Sequence, residues 1–220
     1  MTAATGQEVR LEDYRPTDFE IETVDLRFRL DPERTVVTSR ITARRRSMTD
    51  RQAPLCLDGD ELTFVSLKID GEEVAPDRFS ASPERMEIHD LPASEFFTLD
   101  IVTEIAPAAN SKLMGLYRSS DIYCTQCEAE GFRRMTYFLD RPDVLAVYTT
   151  RIEAPVEDAP RLLSNGNLVD SGDLTDGYHF AVWHDPHPKP SYLFALVAGD
   201  LAVVRDRFTT QSGRPVALEI

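Results

Sequence analysis

The sequence predicts an all-β protein, an antiparallel β-sandwich with few short helices. Three observations carry this. Apolar and polar residues alternate over most of the chain, turn dipeptides punctuate the alternating segments, and helical periodicity is scarce. A length of 220 residues suits one large β domain, and 42% apolar residues supply a core. Two layers of antiparallel sheet are the economical way to bury one face of so many strands.

The elements follow in order. FEIETVDLRFRLD (19–31) alternates at Ile21 and Thr23 and then places Val24, Leu26, Phe28 and Leu30 on one face. DPER (31–34) has Pro at the second position of a type I turn, so TVVTSRITARRR returns as the partner strand. ELTFVSLKIDGEEV repeats the arrangement around Asp70-Gly71, a strong two-residue hairpin signal. RMEIHDL, FFTLDIVTEI, AVYTTRIEAP and YHFAVWHD continue the series, and Asn165-Gly166 in LLSNGNLVDSG reads as another hairpin turn. SYLFALVAGDLAVVRDRF could be a buried strand pair or a helix, and its break at Gly199-Asp200 favours strands. The middle, 107–144, reads as irregular. The final RPVALEI reads as a strand cut midway. Residues 1–220 are therefore expected to be a single N-terminal β domain, truncated at its C-terminal edge, of a longer protein.

Composition excludes several classes. A net charge of −14, from 38 acidic against 24 basic residues, argues against a nucleic-acid backbone as partner, since phosphates need cationic surface. The basic run at residues 44–46 sits at a strand end and reads as a solvated terminus. No apolar run approaches the ~20 residues a membrane helix requires. The N-terminus has no apolar leader segment. Three cysteines, Cys56, Cys124 and Cys127, are too few for a disulfide framework, so a reducing cytoplasm is expected.

The loop CTQCEAEGFRRMTYFLDRPDV (124–144) departs from the sheet pattern. Cys124-x-x-Cys127 has zinc-knuckle spacing, and His184-x-x-His187 could complete a Cys₂His₂ set. The second pair lies in HDPHP, stiffened by Pro186 and Pro188, and nothing in the sequence brings it near Cys124. A redox CxxC wants a helix N-terminus in a βαβ setting, which an all-β chain lacks. Two free thiols are the expected outcome, with no metal held by this chain. G-x-S-x-G, H-E-x-x-H and glycine-rich phosphate loops are absent, and His89, His179, His184 and His187 are scattered. Glu128 and Glu130 are two apart and share a face on extended backbone, a geometry open to acid–base work or to plain solvation.

CTQCEAEGFRRMTYFLDRPDVLAVYTTRIEA, LLSNGN and DPHPKPSYLFALVAGD, with the opening DYRPTDFEIETVDLRFRLDPERTVVTSRI, closely resemble the N-terminal domain of the bacterial aminopeptidase N family. These are zinc-dependent gluzincin (alanyl) aminopeptidases. The resemblance covers nearly the whole chain in long ungapped blocks. It implies a saddle-like β domain from an enzyme that removes N-terminal residues from peptides. The family's H-E-x-x-H, the later glutamate ligand and the G-A-M-E-N segment are absent here. The zinc cofactor and the catalytic residues are thus implied to belong to a separate catalytic domain beyond Ile220, and this chain is expected to be inactive alone.

The resemblance gives substrate-binding roles to Glu128 and Gln126. Glu128 would hold the free α-ammonium of the peptide, and Gln126 would supply a neutral acceptor beside it. A shielded charge-assisted hydrogen bond of this kind contributes ~2–3 kcal/mol. A peptide without a free N-terminus would leave the carboxylate unpaired, which excludes internal cleavage. Parity puts Gln126 and Glu128 on one face and Cys127 on the other, as packing; Glu130 shares the parity, with Gly131 following. In FLDRPDV, Asp140, Arg141 and Asp143 are expected to form a charge-paired turn fixed by Pro142. An apolar patch toward the catalytic domain is expected from 107–117 and the loop. The competing reading is a non-enzymatic β-sandwich that binds protein or glycan.

Overall fold

The computed structural model describes residues 10–220; the reading of residues 1–9 as free of a leader lies outside the described residues. In chain order the strands are β1 (Phe19–Arg29), β2 (Thr35–Arg45), β3 (Leu55–Asp58), β4 (Thr63–Ile69), β5 (Glu72–Glu73) and β6 (Phe79–Ser82). They continue with β7 (Arg85–Ile88), β8 (Phe96–Ile105), β9 (Gly115–Ser119), β10 (Ile122–Gln126), β11 (Leu145–Pro155) and β12 (Arg161–Ser164). The last are β13 (Asn167–Asp173), β14 (Tyr178–Pro190), β15 (Leu196–Gly199), β16 (Arg205–Thr209) and β17 (Pro215–Glu219). Helix among the described residues is confined to three-residue 3₁₀ turns such as Phe132–Arg134 and Ser191–Leu193.

One layer is an eight-stranded sheet in the order β13-β14-β11-β1-β2-β8-β4-β5. A four-stranded sheet, β12-β15-β10-β9, and a three-stranded one, β3-β7-β6, belong to the other layer. Ring contacts join the layers: Phe28 of β1 stacks on Phe194, Tyr148 of β11 meets Phe132 edge-on, and Phe64 of β4 meets Phe79 of β6. The expected sandwich is present, and antiparallel except where β1 runs parallel to β11.

Period-two patterning explains the strands. In β1 the buried set changes phase, from Phe19 and Ile21 to Val24, Leu26 and Phe28, across a bulge between Ile21 and Thr23. The outer face carries a row of alternating sign across four strands: Asp25 opposite Arg40, Arg40 opposite Asp100, and Asp100 opposite Lys68. Arg40 grips Asp100 with two bonds, at 2.7 and 3.1 Å. Asp70 and Gly71 both have positive φ, 52° and 85°, as a type I′ turn requires, and they join β4 to β5.

Four expectations change. Asn165-Gly166 does not close a hairpin: β12 pairs with β15 in one sheet and β13 with β14 in the other. Asn165 instead donates to the Leu193 carbonyl and accepts from the Ala195 amide, which fixes a corner between layers. The middle segment is not wholly irregular, since β9 and β10 form a hairpin whose short strands bury few side chains. Only the first half of SYLFALVAGDLAVVRDRF is buried; β16 pairs with β17 in an exposed ribbon apart from the other sheets. The basic run at 44–46 is paired rather than merely solvated: Arg44 bonds Glu20 and Glu22, and Arg46 meets Glu20.

Two buried hydroxyls on the inner face of the large sheet reach toward the loop. Ser39 bonds Thr136 through their hydroxyls at 2.8 Å, and Thr103 donates to the Met135 carbonyl at 2.7 Å. They tie the segment that leaves the loop to the sheet beneath it.

Candidate functional site

β10 delivers the loop. Its Gln126 pairs with Gly115 of β9, and its Cys124 with Val197 of β15, so the strand is held on both sides. Thr125 fastens it further, donating to the Leu196 carbonyl and accepting from the Leu196 amide. Beyond Gln126 the strand stops, and the Gly131 amide bonds back to the Cys127 carbonyl at 2.8 Å. Gln126 and Glu128 are exposed and Cys127 is buried, the side assignment that parity gave. The Gln126 amide donates to the Glu128 carbonyl at 3.1 Å, which couples the two residues directly. The Glu128–Ala129 peptide is cis. Among the described residues no cation lies within 4.0 Å of the Glu128 carboxylate, while Glu130 reaches Arg133 at 3.5 Å.

The root of the loop is fixed by two arginines. Arg134, almost wholly buried, meets Asp60 and Glu61 at 2.5 Å each and donates to the Met114 carbonyl. Lys112 joins both carboxylates from outside. Arg133 turns the other way, onto Asp140. Phe132, between Gly131 and these arginines, is buried in an aromatic cluster with Phe138, Tyr148 and Phe194. Sequence reasoning missed this root, although two adjacent arginines beside a buried phenylalanine were a visible signal.

The expected turn at 140–143 divides. Arg141 and Asp143 pair through two bonds of 2.8 Å, and Tyr14 donates to Asp143 at 2.9 Å. Asp140 takes no part in it. Its side chain is buried and accepts from the Arg133 amide, the Arg133 Nε and the Ser191 hydroxyl. The expected apolar patch at 107–117 shrinks to Leu113, because Pro107 and Leu116 are buried. Exposed apolar surface occurs on the β16–β17 ribbon at Val204, Phe208 and Ile220.

Hydrogen bonds from Lys112 and Arg134 hold the Glu61 carboxyl down to about 2 from an ordinary 4.5. A carboxyl lowered in the folded state contributes stability above its unfolded value, and the contribution is lost as pH falls from 4.5 toward 2. Glu61 is 56% exposed, so screening limits the effect to about 0.5 kcal/mol. Urea unfolding at pH 5 and pH 2.5 should therefore show a slightly smaller loss of stability in Glu61→Gln than in the wild type. An identical loss in both proteins would count against the pairing.

The thiols are poorly suited to metal. Burial pushes the Cys127 thiol far up, and the nearby Asp140 charge adds to this; burial also raises Cys124. Both disfavour the thiolate that zinc needs. His184 sits on β14 in the other sheet, its Nδ1 at 3.1 Å from the Thr149 hydroxyl, so the Cys₂His₂ set is split between layers. Among the described residues no group of three or more His, Cys, Asp or Glu is arranged to hold a metal ion. A cleft of about 350 Å³ lies between the start of β1 and the start of β11, lined by Glu20, Glu22, Arg44 and Arg46; Gln126 and Glu128 do not line it.

Residues 16–193 match the family described as the peptidase M1 N-terminal domain. Aminopeptidase N of Caulobacter vibrioides is 52% identical over 220 residues, covering 100% of this chain and 25% of that protein. Aminopeptidase N of Escherichia coli is 53% identical over 208 residues, covering 94% and 23%. A solved structure of Legionella pneumophila aminopeptidase A, in complex with aspartic acid, superposes with a TM-score of 0.89 at 36% identity. It shares 96% of this chain and 25% of that one. The chain thus spans about a quarter of the length of the curated relatives it matches.

Proposed function

Because the chain belongs to the family of peptidase M1 N-terminal domains, we propose that it is the N-terminal β domain of a zinc aminopeptidase. That enzyme removes residues one at a time from peptides with a free N-terminus. Residues 1–220 act as one domain that forms a wall of the substrate cleft against the enzyme's own catalytic domain. The zinc, which polarises the scissile carbonyl and lowers the pKa of a bound water, is held by ligands outside this chain. Among the described residues no group fits a zinc centre, and on this reading the domain needs its catalytic partner domain for activity.

The observation that carries this reading is an exposed Glu128, with no cation beside it among the described residues, above a root fixed by the Arg133 and Arg134 ion pairs. An exposed carboxylate with no cation beside it among the described residues is open to an ammonium. Gln126, bonded to the Glu128 carbonyl, keeps its own carbonyl oxygen as a second acceptor. The cytoplasmic setting rests on free cysteines; separately, no helix among the described residues is long and apolar enough to cross a membrane. The test is hydrolysis by the intact protein of a peptide and of its N-acetylated form. Release of the first residue from the free peptide alone, abolished by a zinc chelator, is expected. Equal cleavage of both peptides would remove the amine-anchor role.

A further inference from the structure

The loop that carries Glu128 is held at one end by β10 and at the other by the Arg134 ion pairs and, on the Arg133 side, by a buried carboxylate. Asp140 Oδ2 accepts from the Arg133 backbone amide at 3.1 Å and from Arg133 Nε at 3.0 Å. The Asp140 carbonyl accepts from Arg133 Nη2 at 3.0 Å, so the same arginine is gripped three times by one residue. Asp140 Oδ1 accepts from the Ser191 hydroxyl at 2.5 Å, and Ser191 is itself buried at the head of the turn that follows β14. Arg133 also lies near Glu130, inside the loop, and near Asp58, on β3.

We propose that Asp140 is a positioning residue for the peptide amine: it fixes the Arg133 end of the loop to the β14 end of the large sheet and so sets where Glu128 stands. The inference rests on the reading of Glu128 given above. Its physical content is that the Arg133 amide and Nε share one buried acceptor, and its removal leaves the guanidinium only the Asp140 carbonyl and the more distant Glu130 and Asp58. The backbone from Cys127 to Phe132 then has freedom it now lacks. A misplacement of about 1 Å at the amine site is felt at the reacting bond, since catalysis depends on near-attack geometry.

The test compares Asp140→Ala, Asp140→Asn, Glu128→Ala and the double variant in the intact protein. KM and kcat are measured on a free peptide, and amide hydrogen exchange is followed across 127–134. Asp140→Ala should raise KM about 10- to 100-fold, by more than kcat falls, and should speed exchange in that segment while the β1, β2 and β8 amides keep their protection. Asp140→Asn should recover most of both. Its remaining carbonyl can accept from Arg133, and the Ser191 hydroxyl can reverse its role and accept from the new amide. The double variant should show a KM no higher than Glu128→Ala alone, because both act through one contact. Ser191→Ala keeps the charge and removes one donor. It should speed exchange at Arg133 several-fold, and it decides the matter if Asp140→Ala does not fold.

Wild-type exchange across 127–134 in both Asp140→Ala and Ser191→Ala overturns the proposal. So does a KM penalty that adds fully to that of Glu128→Ala. A normal KM in Asp140→Ala beside a raised one in Glu128→Ala sinks the clamp and leaves the amine anchor standing. A normal KM in Glu128→Ala sinks the anchor reading, and the positioning role with it.

Discussion

Replacing Glu128 with alanine in the intact protein should raise KM by about 30- to 150-fold while zinc content stays at the wild-type level. The magnitude follows from one charge-assisted hydrogen bond in a shielded site, worth ~2–3 kcal/mol, at about 1.4 kcal/mol per tenfold. Zinc should be spared because Glu128 belongs to no metal-holding group among the described residues. The effect should fall mainly on KM, because the α-ammonium is bound in the ground state as well as in the transition state. Folding should be almost untouched: the side chain is exposed and holds no ion pair among the described residues. Glu128→Gln separates charge from shape, and it should recover only the neutral part of the contact. Michaelis kinetics on a free dipeptide, with metal analysis of the same sample, decides it; an unchanged KM removes Glu128 from the substrate site.

The sequence revealed the sides of the loop better than its anchoring. The outward placement of Gln126 and Glu128 around an inward Cys127 follows from two-residue alternation, although the strand itself ends at Gln126. Asp140 was legible only as a neighbour of Arg141 and Asp143. Its real partners lie seven residues before it and 51 residues after it, at Arg133 and Ser191, and local pattern says nothing about such distances. Ser39 and Thr103 are intermediate. They stand at apolar positions of β2 and β8, and a hydroxyl in a buried phase announces that some backbone or side chain must satisfy it. Asn165-Gly166 and Asp70-Gly71 look alike as turn dipeptides, yet only the second closes a hairpin. Bonds from Asn165 to the Leu193 carbonyl and the Ala195 amide make the difference, and they depend on how two sheets are stacked.

Gly131→Ala should lower the stability of the protein by about 1–3 kcal/mol, the usual range for forcing atoms into a packed interior. It should also raise KM. Gly131 has φ −90° and ψ −18°, torsions alanine adopts freely, so no backbone preference opposes the change. The obstacle is space. A Cβ there would stand 2.2 Å from the Gln126 carbonyl oxygen, 2.8 Å from Cys127 Cα and 3.0 Å from the Gly115 amide nitrogen. All three are backbone atoms, so no side chain can swing aside. Relief requires either the end of β10 or the start of β9 to move, and the Gly131 to Cys127 hydrogen bond stretches with them. The atoms that must shift flank Glu128, so a steric change buried under the loop reaches the amine site. Gly71→Ala is the matched control. It meets nothing within 4 Å but holds φ +85°, so it should cost about 1 kcal/mol through torsion alone and leave KM at the wild-type value. Thermal unfolding and kinetics on both variants separate the two causes. A Gly131→Ala protein with wild-type melting and wild-type KM would show that the loop has room it is not expected to have.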